Sequence, residues 1–299
     1  MLLKAFWWLS GRLSPARASR FGRRLLETLG PRSRKHRHVL ANLRMLCPER
    51  DEAEITALAR AVWGNLGASL AEFPHFAAII DPDCEFASLE VVCENRDPDF
   101  LARKRPCVFV APHLGNWELS GYAIHSLGYP VDLVYNPQVN PGLERLVAAR
   151  RTALGQTLIP KENALRRLIA SLKQGRSVGL HVDVRIDDGL SVPFAGAPAA
   201  TTPLPAWLAR RFDCAIVPVH TERLGDARFR SVIHPAVHAP GEAHKSLEEI
   251  TAAMNRAIAD LIRARPGQWQ CTKRRWPKEI MKVRGAYRAP GDTDERSEE

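Results

Sequence analysis

Residues 107–118 read CVFVAPHLGNWE, a short apolar run ending at His113, then a turn and a glutamate at position 118. On an α-helix this five-residue spacing would place the two side chains about 140° apart, on different faces. They can cooperate only if the apolar run is a strand and Gly115-Asn116 form a turn into a helix. This stretch therefore predicts a strand–turn–helix unit with His113 at the carboxyl end of the strand.

Beyond this unit, short apolar segments alternate with amphipathic segments of about ten residues, which predicts an α/β fold. We expect a mainly parallel central sheet flanked by helices, with a basic helical N-terminal region. The predicted strands are 107–113, 131–137, 157–160, 176–183 and 214–220, with 227–234 as an edge strand. The predicted helices are 51–76, 119–127, 141–154, 164–172, 202–211 and 246–264, and the Pro/Gly-rich stretch up to Ala200 is expected to be an irregular loop.

The net charge of +10 comes from the first fifty residues, which hold twelve Lys/Arg and two acids, whereas the rest holds 31 of each sign. Aromatic and apolar residues from Phe6 to Leu9 stand among these basic residues, a pattern typical of a segment lying in a membrane headgroup layer. A helix packed on the protein's own core with a solvated basic face would look the same. No nucleic-acid-binding motif accompanies the charge, so we expect an anionic membrane surface and no nucleic acid.

Three parts of the chain are predicted from these patterns. Residues 1–50 form a basic amphipathic membrane-associating segment, 51–285 an α/β catalytic domain, and 286–299 a disordered acidic tail. The six cysteines show no CxxC pair or metal-ligand spacing, so we expect buried thiols and no metal.

His113 is placed at the carboxyl edge of the sheet, where open α/β sheets bind ligands. Its pKa suits general-base chemistry, and a five-residue spacing across a turn can bring the carboxylate of Glu118 back to the imidazole. A loop histidine beside an unrelated surface glutamate has the same spacing, so the pair alone leaves both possibilities open. There is no G-x-S-x-G nucleophile, so direct transfer onto an activated hydroxyl is the chemistry expected.

The segment APHLGNWELSG resembles the H-x4-(D/E) motif of glycerolipid and lipid A acyltransferases. The chain is similar to the late lipid A acyltransferases that add lauroyl or myristoyl chains. Other family-like segments occur in family order across about residues 36–280: RHVLANLRMLCPE, VWGNLGASLAEFPHF, LKQGRSVGLHVD, VPFAGAPAATTPLPAWLARRFDCAIVPVHTER and PGQWQCTKRRWPK.

The resemblance implies transfer of an acyl chain from acyl-acyl carrier protein to a hydroxyl group of a phosphorylated glycolipid, a lipid A precursor. In that scheme His113 is the general base and Glu118 orients it, without a metal or other cofactor. The basic N-terminal region would meet membrane lipid, substrate phosphates or the acidic carrier protein. The implied location is the cytoplasmic face of the inner membrane, with peripheral or monotopic attachment.

The same resemblance implies a set of substrate-binding residues, each with a structural alternative. One of two neighbouring arginines matches a site arginine but could be a solvated helix end, and Asp183 could position the site or cap a strand. Thr201 or Thr202 could N-cap a helix. Glu222 and Arg223 could orient the site or form a structural ion pair, and Trp269 and Trp276 could anchor the chain at a membrane or pack internally. The candidates are Gly115, Asn116, Arg150, Arg151, Asp183, Thr201, Glu222 and Arg223.

One departure concerns the acceptor. The family's Tyr-Arg-Pro appears here as Tyr135-Asn136-Pro137, which removes an arginine that could contact phosphate or sugar. Two alternatives therefore stay open: acylation of another glycolipid, such as a mannosylated phosphatidylinositol, and a catalytically silent lipid-binding protein at the membrane surface.

Overall fold

The computed structural model describes residues 2–152, 154–242 and 244–287. The strands are β1 (Ser88–Cys93), β2 (Val108–Ala111), β3 (Val131–Tyr135), β4 (Thr157–Pro160), β5 (Ser177–His181), β6 (Leu190–Phe194), β7 (Ala197–Thr201), β8 (Ile216–Gly225) and β9 (Arg228–Ile233). The α-helices are α1 (Leu2–Ser10), α2 (Pro15–Leu29), α3 (His36–Leu46), α4 (Glu52–Glu72), α5 (Phe76–Ile80), α6 (Pro98–Arg103), α7 (Ser120–Ser126), α8 (Pro141–Thr152), α9 (Ala164–Lys173), α10 (Leu204–Phe212), α11 (Leu247–Ala264) and α12 (Lys278–Val283).

Seven strands of this part of the chain form one sheet in the order β1-β9-β8-β2-β5-β3-β4. Pairing is parallel from β8 through β4, and β9 runs antiparallel to β8 while β1 is parallel to β9. The predicted α/β fold with a mainly parallel central sheet is confirmed.

Two local expectations are wrong. The predicted edge strand around β9 lies inside the sheet, because β1 pairs along its outer side. The stretch expected to be an irregular loop contains the β6–β7 hairpin, in which Pro193 lies opposite Pro198. Its turn is made by Ala195 and Gly196, both with positive φ. Proline and glycine usually interrupt strands, so the hairpin gave no clear strand signal.

Helices cover both faces of the sheet. Val108 and Val110 of β2 lie in one core with residues of α10 and α11, while Phe109 between them packs on the other face with Ala123 of α7. This alternation follows from the two-residue period of a strand. The six cysteines are free, and four of them are buried.

The N-terminal helices pack on the sheet domain rather than standing apart from it. Helix α2 lies along α4, where a Cβ added to Gly22 would come within 2.2 Å of the carbonyl oxygen of Gly67. Leu43 and Leu46 of α3 share the core of the sheet strands, so the core continues across the predicted boundary at residue 50. No helix in the described ranges has both the length and the apolar composition needed to cross a membrane. Most of the predicted acidic tail, 288–299, lies outside the described residues.

Candidate active site

The site begins where β2 and β5 end side by side. These parallel strands pair Ala111 with His181, so the residues two positions further on, His113 and Asp183, reach the carboxyl edge together. The Nδ1 atom of His113 lies 2.7 Å from Oδ1 of Asp183, and the backbone N–H of His113 donates to Oδ2 at 3.0 Å. The Asp183 side chain is 2% exposed and that of His113 is 26% exposed. The imidazole is thus fixed on one side and open to a ligand on the other.

Each member of this pair favours the charged form of its partner. Burial alone would lower the pKa of His113, but the charge and hydrogen bond of Asp183 outweigh it and raise that pKa. Burial alone would raise the pKa of Asp183, yet His113 holds it well below its usual range. Asp183 therefore remains an anion that accepts from Nδ1, which leaves Nε2 as the ring nitrogen able to take a proton from a ligand.

The expectation that Glu118 orients His113 is wrong, because the carboxylate of Glu118 is held by another residue. Arg151 donates to it through Nε at 2.7 Å and Nη2 at 2.6 Å, a bidentate pair in which both side chains are largely buried. Burial opposes the charge of Arg151, but Glu118 outweighs it and raises the arginine pKa. Nη1 of Arg151 is buried without a partner among the described residues, whereas Arg150 is exposed.

The turn between His113 and Glu118 is fixed by the backbone of Thr221 and by side chains of α4. Gly115 has φ +58°, and a Cβ there would lie 2.1 Å from the carbonyl oxygen of Thr221, so both conformation and space require glycine. Its carbonyl accepts from Asn65 Nδ2 at 2.8 Å and from Ser69 Oγ at 3.2 Å. Asn116 is fully buried and donates from Nδ2 to Glu72 Oε2 at 2.9 Å. Both residues shape the turn through contacts with α4.

Arg223 completes this support from the neighbouring strand β8. Its guanidinium is 6% exposed and pairs with Glu72, which is fully buried, and it also donates to Asn65 Oδ1 at 2.9 Å and Ser69 Oγ at 3.0 Å. Asn65, Ser69 and Glu72 occur at i, i+4 and i+7 on one face of α4. Three polar residues on the buried face of an amphipathic helix are the signal that sequence reasoning missed.

Two other candidate residues, Glu222 and Thr201, lie away from this cluster. Glu222 and Arg223 do not pair with each other, since successive strand residues point to opposite faces; Glu222 pairs with Arg265 instead. Thr201 is fully buried, and its Oγ1 accepts from Arg275 Nη2 at 2.7 Å and from Asn255 Nδ2 at 3.0 Å.

Neither threonine is the N-cap of α10, because that position is Pro203 and no side chain caps the helix. Thr202 Oγ1 accepts from the backbone N–H of Leu204, the first residue of α10, at 3.2 Å. This contact spans two residues and is a local turn of the threonine hydroxyl, so the expected N-capping by a threonine is wrong.

Two aromatic rings also lie against His113 and leave part of its imidazole exposed. His181 stacks on it with ring centroids 4.3 Å apart, and the ring of Trp117 lies edge-on at 5.5 Å. Burial and the nearby His113 lower the pKa of His181 to about 3, so this ring is neutral. His113, His181 and Asp183 have potential metal-ligand atoms within 4.8 Å of one another. Both oxygens of Asp183 accept hydrogen bonds from the protein, and the shortest of these joins Asp183 to His113 Nδ1.

Of the two alternatives for Trp269 and Trp276, the structure shows internal packing and not a membrane anchor, because they are 1% and 0% exposed. The indole N–H of Trp269 donates to Asp183 Oδ2 at 2.8 Å. The segment 268–270 runs antiparallel to the turn, with Gly115 N–H bonded to the Gln268 carbonyl.

This fold and site define an α/β protein with a histidine–carboxylate pair at the carboxyl edge of a parallel sheet, suited to removing a proton from a bound ligand. The chain belongs to the bacterial lipid A biosynthesis acyltransferase family, whose model matches residues 1–278.

Two relatives are similar at modest identity. A lipid A biosynthesis acyltransferase of Haemophilus influenzae is 22% identical over 204 residues, which cover 67% of this chain and 59% of that protein. A lipid A biosynthesis myristoyltransferase of Escherichia coli is 26% identical over 164 residues, covering 54% and 47%. The chain therefore spans about half the length of the curated relatives it matches.

Among solved structures, the 1-acyl-sn-glycerophosphate acyltransferase PlsC of Thermotoga maritima has a TM-score of 0.31 and 16% identity to this chain. The match covers 79% of this chain and 95% of that one. A TM-score this low does not by itself support a shared fold.

Proposed function

We propose that this protein transfers a fatty acyl chain from acyl-acyl carrier protein to a hydroxyl group of a lipid A precursor. The observation that carries the proposal is the hydrogen-bonded pair of His113 and Asp183, largely buried with one part of the imidazole exposed, in a chain of the lipid A biosynthesis acyltransferase family. Such a pair supplies the general base that a hydroxyl nucleophile needs.

In the proposed reaction, Nε2 of His113 takes the proton of the acceptor hydroxyl as its oxygen attacks the thioester carbonyl carbon. The resulting tetrahedral intermediate collapses, the carbon–sulfur bond breaks, and the thiolate of the carrier takes the proton back from the imidazolium. Asp183 stabilises the imidazolium and holds the ring with Nε2 facing the acceptor. The products are an ester of the acceptor and the free thiol of the carrier protein.

Arg151 is the proposed donor to negative charge that develops on the substrate. Its Nη1 is buried and unpartnered in the described part of the chain, while Nε and Nη2 are held by Glu118. A guanidinium fixed in this way loses little orientational freedom when it binds an anionic oxygen. Glu118 then acts by positioning Arg151 instead of His113.

The proposed site of action is the cytoplasmic face of the inner membrane, reached through the N-terminal face of the protein. We define the N-terminal face as Arg17, Phe21, Arg24, Leu25 and Leu29, which line a groove of about 480 Å³ along the outer side of α2. Trp8 and Leu9 of α1 are also exposed, at 60% and 45%. Arginines interleaved with apolar side chains suit an anionic membrane surface. The acidic carrier protein is the other partner proposed for this basic region.

A second candidate is the transfer of an acyl chain to a different glycolipid. The observation that favours it is Asn136, which replaces the arginine of the family's Tyr-Arg-Pro segment. Loss of a fixed cation would weaken recognition of a phosphorylated sugar. The chemistry at His113 would be the same for either acceptor.

Mass spectrometry of lipid products tests the proposal. The purified protein is incubated with acyl-acyl carrier proteins of several chain lengths and a deacylated lipid A precursor, in parallel with His113→Ala and with His125→Ala as the matched control. His125 is an exposed histidine of α7 outside the site. We expect a mass gain of one acyl chain with the wild type and the control, and none with His113→Ala.

Each other outcome has a defined meaning. A gain only with an alternative glycolipid, again lost in His113→Ala, would favour the second candidate. Lipid binding without any mass gain, unchanged in His113→Ala, would indicate the silent lipid-binding protein and contradict the proposal.

A further inference from the structure

The segment 268–270 is held against the turn that carries His113, although more than 150 residues separate them in the chain. Leu114 and Trp269 form an antiparallel bridge. The N–H of Gly115 donates to the carbonyl of Gln268 at 3.1 Å, and the N–H of Gln270 donates to the carbonyl of His113 at 2.8 Å. The backbone on both sides of His113 is thereby fixed to this segment.

The side chain of Trp269 lies between these backbone contacts and reaches Asp183, the partner of His113. Trp269 is 1% exposed, and its Nε1–H donates to Oδ2 of Asp183 at 2.8 Å. Its ring packs against Phe194 and Trp276, with centroid distances of 6.4 and 6.3 Å. Burial on all sides fixes the ring, so the direction of the N–H bond is fixed as well.

We infer that Trp269 is a positioning residue for the His113–Asp183 pair, setting the orientation and basicity of the carboxylate through the indole N–H. The inference deepens the proposed function and, for its effect on turnover, rests on it. Its effect on the ionisation of His113 is independent of any substrate.

The physical basis is the number of hydrogen bonds to one carboxylate. Among the described contacts, Asp183 accepts two hydrogen bonds from His113, through N and Nδ1, and one from Trp269 Nε1. The indole is therefore the donor that comes from outside the pair. A donor to a carboxylate disperses its negative charge. Without the indole N–H, the carboxylate would stabilise the imidazolium more strongly and could also rotate away from the position that orients the ring.

Other charged or titratable groups also act on His113 and must stay unchanged in the test. Asp183, Glu118 and Lys273 act on His113 directly, and His181, which stacks on it, is itself affected by Arg151. Replacing Trp269 by phenylalanine alters none of them. Any change in the ionisation of His113 would therefore follow from the lost N–H.

The test compares Trp269→Phe with Trp276→Phe as a matched control. Trp276 is equally buried, but its Nε1–H donates to the carbonyl of Phe194 at 3.1 Å and not to the pair. Protein carrying ¹⁵N-labelled histidine is titrated by NMR without substrate, and the His113 signals are assigned from the His113→Gln variant.

We expect the pKa of His113 to be higher by about 0.5 unit in Trp269→Phe and unchanged in Trp276→Phe, as loss of one hydrogen bond to a charged group would give. An unchanged pKa in Trp269→Phe, or equal shifts in both variants, would overturn the inference. If Trp269→Phe does not fold, the indole ¹⁵N–¹H signals are compared in Asp183→Asn. A displaced Trp269 signal with an unmoved Trp276 signal supports the contact, and no displacement refutes it.

Turnover is measured separately. We expect kcat for acyl transfer to fall about tenfold in Trp269→Phe with little change in KM, because orientation of the base and not binding is lost. If the wild type transfers no acyl chain, the proposed function fails while the NMR titration still decides the role of Trp269. A fall of kcat without a pKa shift would indicate a merely structural role.

Discussion

Two buried pairs lie at the two ends of the turn that follows β2, His113 with Asp183 and Glu118 with Arg151. In each pair the carboxylate is less than 10% exposed and makes two contacts with its partner at 3.0 Å or less. The partners differ in their chemistry. An imidazole gains and loses a proton near neutral pH, whereas a guanidinium keeps its charge. The first pair can therefore move a proton, and the second can only present a fixed charge.

The two pairs also differ in what brings each carboxylate next to its partner. Asp183 meets His113 because parallel strands β2 and β5 pair in a register that brings both residues to the same edge. Glu118 is five residues from His113 in the chain, but it turns towards α8. Nearness in sequence thus suggested the wrong carboxylate, and strand register selected the right one.

The strongest test of this comparison replaces each carboxylate in turn by an amide, which removes its negative charge. Asp183→Asn should lower kcat about 10³-fold, because an amide N–H facing Nδ1 favours the tautomer with the proton on Nε2. Glu118→Gln should lower kcat about tenfold or less, since it loosens Arg151 but leaves the base in place. Steady-state acyl transfer, with circular dichroism to verify folding, measures both. A greater loss in Glu118→Gln would restore Glu118 as the residue that orients His113.

A third pair, Glu72 with Arg223, sharpens the comparison. It is buried like the other two but does not contact His113. Arg223→Gln should reduce the free energy of unfolding by about 3 to 5 kcal/mol, since it leaves a carboxylate buried without its counterion. Urea denaturation measures this loss. The matched control is Arg263→Gln, which breaks the exposed pair with Asp260 and should change stability far less. Similar losses in the two variants would contradict a structural role for the buried pair.

The pH dependence of kcat/KM tests which pair titrates. The raised pKa of His113 means that the neutral imidazole is lost, and activity falls, as the pH drops through a value above its ordinary 6.5. Asp183→Asn removes the charge that raises this pKa, so the acid limb should move to lower pH. Glu118→Gln should move it in the same direction but less, because its charge acts more weakly on His113. An acid limb that does not respond to Asp183→Asn would assign the titration to another group.

A prediction that involves neither pair concerns the N-terminal face, which is far from both in the sequence. Arg17→Gln with Arg24→Gln should weaken binding to anionic vesicles about fivefold per arginine, and leave binding to neutral vesicles unchanged. Vesicle co-sedimentation at two salt concentrations measures this effect. Arg166→Gln with Arg167→Gln, two exposed arginines of α9, is the matched control. Equal losses in both double variants would assign the attraction to net charge rather than to this face.

Much of the fold was predictable because its signals are local. The apolar run before His113, the strand at 157–160 and the helix after Ser246 follow directly from periodicity and capping residues. The β6–β7 hairpin was not predicted because prolines interrupt its strands. Strand β1 was not predicted because its positions are exposed or half-buried and it has no clear alternation of apolar and polar residues. Their pairing depends on neighbours that periodicity does not describe.

The sequence by itself determined a mainly parallel α/β fold, a histidine at the carboxyl edge of a strand, a basic N-terminal region and a resemblance to lipid A acyltransferases. These properties depend on residue type and spacing along the chain. Only the tertiary structure decided that Asp183 holds His113, that Arg151 and not Arg150 holds Glu118, and that Trp269 contacts the pair. Each of these contacts joins residues more than 30 positions apart, so strand register and helix packing, and not local spacing, bring them together.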